Sequence, residues 1–102
     1  KKDSAPNKNR ALSLLLNSKT SDYVKIAYGQ TDIRTFQNQT NYSIPYTLPD
    51  GYKPLWAWSY TENFVGAVYT QEISVSAVSA WTIDNCDNKT GFLKSMVLCI
   101  RN

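Results

Sequence analysis

The 102-residue sequence contains no histidine. That absence removes Ser-His-Asp and Cys-His nucleophilic arrangements and most zinc sites. Its two cysteines are too few for a disulfide framework. Cys99 lies in an apolar run and reads as a small buried hydrophobe, while Cys86 sits among polar residues. No bridge between them is expected. Lys94 falls on the opposite strand face from Cys99, so it is not placed to activate that thiol. Glycine is scarce: the four present are isolated, and no phosphate-cradling loop exists. Carboxylates are scarce as well, with two glutamates and six aspartates. Glycoside hydrolysis needs two carboxyl groups facing one cleft, about 5 to 10 Å apart. The available pairs, Asp84 with Asp87 and Asp22 with Asp32, read as turn caps and loop solvation. No apolar run approaches the ~20 residues of a membrane-spanning helix.

Charge is unevenly distributed. Lys1, Lys2, Lys8 and Arg10 against Asp3 give the first ten residues +3, and seven basic and seven acidic side chains cancel over residues 11 to 102. The basic character therefore belongs to a short polar leader. A nucleic-acid groove needs Lys and Arg gathered on the folded surface, so no nucleic-acid partner is expected. The chain opens on Lys1 without an apolar signal segment. The expectation is a fragment or processed product, with residues 1 to 10 as a linker end and 11 to 102 as one domain.

The run DNCDNKTG over residues 84 to 91 has the look of a calcium loop, but Cys86, Lys89 and Ser95 stand at the third, sixth and twelfth positions. Those positions require an oxygen ligand, a glycine and a glutamate, so a turn is the better reading. Three Asn-x-Ser/Thr triplets, at Asn38, Asn41 and Asn88, carry no weight in a sequence this rich in such residues. No cofactor is implied.

What the sequence does have is period-two alternation broken by turn residues. Tyr23 to Tyr28 alternates and stops at Gly29. Tyr42, Ile44 and Tyr46 share one face of a segment whose Pro45 places it at a sheet edge or at a bulge. Pro49-Asp50-Gly51 is a turn. Beyond Pro54, Trp56, Trp58 and Tyr60 point one way, and Leu55, Ala57 and Ser59 the other. Further strands are expected over 64 to 70, 72 to 77, 81 to 83 and 92 to 101. The last of these carries Met96, Leu98 and Ile100 on one face and Val97 and Cys99 on the other, so cover on both faces is expected. Residues 10 to 17, RALSLLLN, fit a helix through Leu12, Leu15 and Leu16 or a strand through Leu12, Leu14 and Leu16. Seven to eight strands spaced about every ten residues predict an all-β domain, an antiparallel β-sandwich or barrel.

Aromatics are plentiful: three Trp, seven Tyr and three Phe. Mid-strand Trp56 and Trp58 are expected in the core first, and Trp81 leans the same way. Tyr42, Tyr52 and Phe64 flank loops and are the better candidates for a binding surface.

The runs YVKIAYGQTDI, YSIPYTLPDGYKPLWAW, EISVSAVSAWTIDN and NKTGFLKSMVLCIRN together resemble the C-terminal domains of bacteriophage tail-fibre and baseplate receptor-binding proteins. The resemblance covers about residues 22 to 102, and its most specific piece is the turn Leu48 to Pro54. The Arg101-Asn102 finish and the lack of glycine-rich segments depart from the commoner versions. The resemblance implies a homotrimeric head at the virion tail tip, made in the bacterial cytoplasm. It implies attachment to other tail or baseplate proteins through the N-terminal side and recognition of a host cell-surface saccharide. Membrane insertion is not expected.

These readings make the domain a non-enzymatic receptor-binding module. The expected contact residues sit on loops: Tyr42, Asn63, Phe64, Asp84, Asn85, Asp87, Asn88 and Lys89. Their amides and carboxylates suit sugar hydroxyls, and plain turn chemistry explains each singly. The rivals are a structural trimerisation domain without receptor contact and a small polysaccharide depolymerase.

Overall fold

A computed structural model describes residues 23 to 102. The expected leader and the leucine-bearing segment 10 to 17 lie outside the described residues. The described residues form seven strands: β1 (Val24–Gln30), β2 (Arg34–Phe36), β3 (Asn41–Pro45), β4 (Tyr52–Glu62), β5 (Ala67–Ile73), β6 (Ala77–Asp84) and β7 (Lys89–Arg101). They form two antiparallel sheets packed face to face, an all-β sandwich.

The first sheet is built on β7. One edge of β7 pairs with β1, from Val24 opposite Ile100 to Gln30 opposite Lys94, and further on with β2. Its other edge pairs with β4 from Tyr52 opposite Arg101 to Glu62 opposite Phe92. The second sheet runs β3-β6-β5, with β6 central. The edge position of β3 accommodates Pro45, which has no N–H to give a second neighbour.

Alternation decides which side chains fill the space between the sheets. Strand β6 contributes Val78, Ala80 and Thr82, all fully buried. Strand β7 contributes Leu93, Ser95, Val97 and Cys99, also fully buried. Phe36, Ile44, Tyr46, Tyr52 and Ala57 complete the layer. Tyr52 and Ala57 are an odd number of residues apart, so regular pleating would send them to opposite faces. The bulge between Pro54 and Trp56 adds the residue that returns both to the core.

Two glycines show how closely backbone and neighbours meet. Strand β1 continues through Gly29, paired with Ser95, instead of stopping there, and a Cβ on Gly29 would lie 2.7 Å from the Pro45 carbonyl oxygen. Gly51 has φ 83° in the turn closed by the Tyr52 N–H donating to the Pro49 carbonyl at 3.1 Å. The expected turn therefore forms with Pro49 as its first residue and glycine at the third, where positive φ is required.

The structure differs from the sequence reading in three strands. The separate segments 72 to 77 and 81 to 83 are replaced by the end of β5, a turn at 74 to 76 and a continuous β6. In that turn the Ser74 hydroxyl accepts from the Ser76 and Ala77 N–H groups at 3.3 and 3.1 Å, which favours a tight reversal over extension. Phe64 precedes β5 in a loop, and β2 was not anticipated. Cover on both faces of β7 is also corrected. Its Val97 and Cys99 face is buried, but Met96, Leu98 and Ile100 are only half-buried on an open outer surface of the described residues.

Candidate functional site

The loops 37–40, 63–66 and 85–88 gather at one end of the sandwich and carry Asn63, Phe64, Asn85, Asp87 and Asn88. Tyr42 in β3, Asp84 at the end of β6 and Lys89 at the start of β7 border them as strand residues, not the loop residues expected. Asp87 Oδ1 accepts from the Asn38 N–H at 2.7 Å, and Asn38 Oδ1 accepts from the Cys86 N–H at 2.8 Å. Asn88 Oδ1 accepts from Gln37 Nε2 at 3.1 Å, and Asp84 Oδ1 from the Asn85 N–H at 2.9 Å. Asn63, Asn85 and Asn88 have φ of 76°, 59° and 59°, the left-handed turn conformation that Asn tolerates. Lys89 is exposed, and its N–H donates to the Cys86 carbonyl at 3.1 Å.

Aromatic packing supports this end from below. Tyr42 is half-buried, with its ring edge-on to Phe36 at 4.9 Å and its hydroxyl accepting from the Gln37 N–H at 2.9 Å. Phe64 lies 5.8 Å from Phe36 and reaches over Gly66 and Gly91. The geometry brings the anticipated residues together, and it occupies much of their polar chemistry with the loops' own backbone. Turn construction accounts for Asn63, Asp84, Asn85, Asp87 and Asn88, and packing for Tyr42 and Phe64.

Sequence reasoning passed over a second site. Trp56 and Trp58 were expected in the core first, and together with Tyr60 on the same strand face they stand instead on the outer face of β4, 56%, 49% and 39% exposed. The inward positions beside them are taken by Ala57, Ser59 and Thr61. Small residues fit there because β4 runs close to β5, with the Ser59 and Thr70 hydroxyls hydrogen-bonded at 2.7 Å. The two indoles meet edge-on at 6.3 Å between centroids. Tyr28 on β1 faces Trp58 across Met96, and Gln30 faces Tyr60 across Lys94.

This aromatic ridge separates two depressions. On the sheet side is a shallow dish of about 390 Å³, lined by Tyr28, Gly29, Gln30, Tyr60 and Lys94. Lys94 Nζ is held 2.7 Å from Glu62 Oε1 at its margin. On the other side a groove of about 770 Å³ runs between β4 and β5, with Leu55, Trp56, Trp58, Tyr69, Gln71 and Glu72 among its walls. Exposed rings beside amide, carboxylate and ammonium groups offer apolar faces together with hydrogen-bond donors and acceptors. The signal for this site was present as aromatics at alternate positions of one segment.

Both thiols are free and buried. Burial pushes the Cys86 thiol above its ordinary range, and the charges of Asp84 and Asp87 push the same way. Burial likewise raises Cys99. Each is thus a neutral packing group at neutral pH, opposite in character to a thiolate nucleophile. Among the described residues no cluster of three or more His, Cys, Asp or Glu side chains could hold a metal ion.

Comparison of the chain with protein-family models, with curated proteins and with solved structures finds no match.

Proposed function

We propose that this domain is a non-catalytic saccharide-binding head of a phage tail-fibre or baseplate protein, which engages the bacterial surface through the β4 ridge. The observation that carries this reading is the half-exposed row Trp56, Trp58 and Tyr60, set between the dish and the groove. An exposed indole presents a broad apolar face that a pyranose ring can cover, and Gln30, Gln71, Glu72 and Lys94 stand close enough to the same row to bond its hydroxyls. Each such contact is weak alone. The homotrimer that the family resemblance implies would multiply it by tethering. Tail or baseplate proteins attached on the N-terminal side and display at the virion tail tip belong to the same reading.

A second reading, a trimerisation domain with no receptor contact, is favoured by the apolar character of the same outer face. One experiment separates them. The full chain is assayed on arrays of bacterial wall polysaccharides, alongside Trp58→Ala and with mass measured in solution. The saccharide reading expects binding that falls at least about tenfold in Trp58→Ala, roughly 1.4 kcal/mol for loss of a central aromatic anchor. Trimers that bind no polysaccharide would reject it for the structural reading.

A further inference from the structure

Among the described residues β4 pairs with β7 alone, so its other edge meets no strand. A free edge is a template for pairing, and the other free edges of the described sheets carry defences against it. Lys25 interrupts β1, β2 has only 3 residues, and Pro45 closes β3. Register shifts break β5 between Ala67 and Val68 and between Thr70 and Glu72. Strand β4 has a proline and a bulge only at its start. From Trp56 to Glu62 its ladder with β7 is unbroken, and no charge falls between Leu55 and Thr61.

The outward side chains of this edge are complementary to themselves. Lys53, Trp56, Trp58, Tyr60 and Glu62 stand opposite Ile100, Leu98, Met96, Lys94 and Phe92, successive outward positions of β7. The bulge takes up the extra residue between Lys53 and Trp56. Trp58 is therefore the midpoint, with the cation and the carboxylate equally far on either side. We propose that a second copy of this chain adds its β4 antiparallel to this edge, about a two-fold axis through Trp58. That register sets Trp58 against Trp58, Trp56 against Tyr60, and Lys53 against Glu62 at both ends. Any other register that keeps outward residues outward moves by two positions and loses both ion pairs. Glu62 holds Lys94 through Oε1, which leaves its second oxygen to accept from the partner's Lys53.

The area is sufficient. Trp56, Trp58 and Tyr60 are 56%, 49% and 39% exposed, which leaves roughly 300 Å² of ring surface on each copy. With Leu55, both main-chain edges and the two ion pairs, the joined copies cover about 1,000 Å², the size of a weak specific contact. The inference does not rest on the saccharide reading, because it uses the edge of β4 and is read without polysaccharide. A two-fold contact joins copies in pairs, so trimers linked through it become hexamers.

Mass and affinity of the full chain in solution test it. At about 100 µM, a concentration suited to a contact of this size, the chain should be a dimer or a hexamer. A monomer or a trimer would leave the edge to some other strand and overturn the proposal. Charge exchange then reads the register. Lys53→Glu alone sets two carboxylates against each other at both ends, and Glu62→Lys alone sets two ammonium groups there. Each should weaken self-association about tenfold. Mixed in equal amounts, the two variants restore opposite charges at both ends and should associate as tightly as the parent. Undiminished association of either variant alone, or weakening that mixing does not relieve, would overturn the proposal.

Discussion

Replacing Thr82 by valine changes the chemistry of a core position without changing its shape. Thr82 is fully buried on β6. Its hydroxyl donates to the Gln37 carbonyl at 2.6 Å and accepts from the Thr40 N–H at 3.0 Å. Main-chain bonds run alongside, from the Thr82 N–H to the Thr40 carbonyl and from the Gln39 N–H to the Thr82 carbonyl. Valine keeps the volume and leaves two groups without their partner. The Thr40 carbonyl keeps its own bond, so the groups at risk are the Gln37 carbonyl and the Thr40 N–H. A fully buried orphan costs about 1 to 3 kcal/mol, and solvent relieves part of that at exposed Gln37. The sum is about 2 kcal/mol, less a few tenths for the better strand former. Thr82→Ser keeps the hydroxyl and loses one methyl, about 1 kcal/mol. At about 4 to 8 °C per kcal/mol for a domain of this size, Tm should fall by about 8 to 16 °C in Thr82→Val and about half that in Thr82→Ser. Thermal unfolding followed by circular dichroism measures both. Amide exchange at Thr40 should quicken only in the valine variant. A valine variant as stable as the parent, or more stable than the serine variant, would refute the clamp.

Three further outcomes follow from close packing and from burial. Gly91→Ala would drive its methyl into the Glu62 carbonyl oxygen, with Phe64 also close. Because backbone cannot swing aside, the loss should be about 2 to 3 kcal/mol or more, seen as a lower denaturation midpoint at unchanged slope. Cys86 and Cys99 should resist thiol reagents at pH 8 until the chain unfolds, with labelling that tracks denaturant. Their folded pKa values are raised, so the native state holds protons that the unfolded state releases. Stability is therefore complete below the unfolded thiol pKa near ~8.5 and declines as pH rises beyond it. The decline should be shallower in Cys99→Ala, and a fall in unfolding free energy between pH 8 and pH 10, read from urea midpoints, that is as large in Cys99→Ala as in the parent would contradict it.

Alternation along the chain was enough to read an all-β sandwich or barrel, to limit Pro45 to an edge or a bulge, and to place the turn at Pro49 to Tyr52, because each is set by local chemistry. It was not enough to orient β4. Period two divides Trp56, Trp58 and Tyr60 from Leu55, Ala57 and Ser59, but it does not state which set faces inward. Large aromatics look like core by transfer energy alone. The deciding factor was the space left between β4 and β5, which admits alanine and serine and excludes indole. Leu55 was expected opposite the tryptophans, yet it is 55% exposed beside the bulge that resets the register. Loop residues 84 to 89 carried the right signature for hydrogen bonding. Their partners Gln37 and Asn38 lie about fifty positions earlier and belong to another sheet connection, which no local pattern reveals.

Strand β7 is the spine on which β1, β2 and β4 are hung, and it is the last of the seven in chain order. Among the described residues, those three strands have no backbone partner in their own sheet when they leave the ribosome. Their ladder closes only when residues 89 to 101 emerge, joining positions as distant as 24 and 100. Closure over that distance makes assembly slow and late. Until then the Trp- and Val-bearing edges of the nascent chain are open to any neighbour, and a ribosome halted before Lys89 would release an aggregating product instead of a smaller folded one.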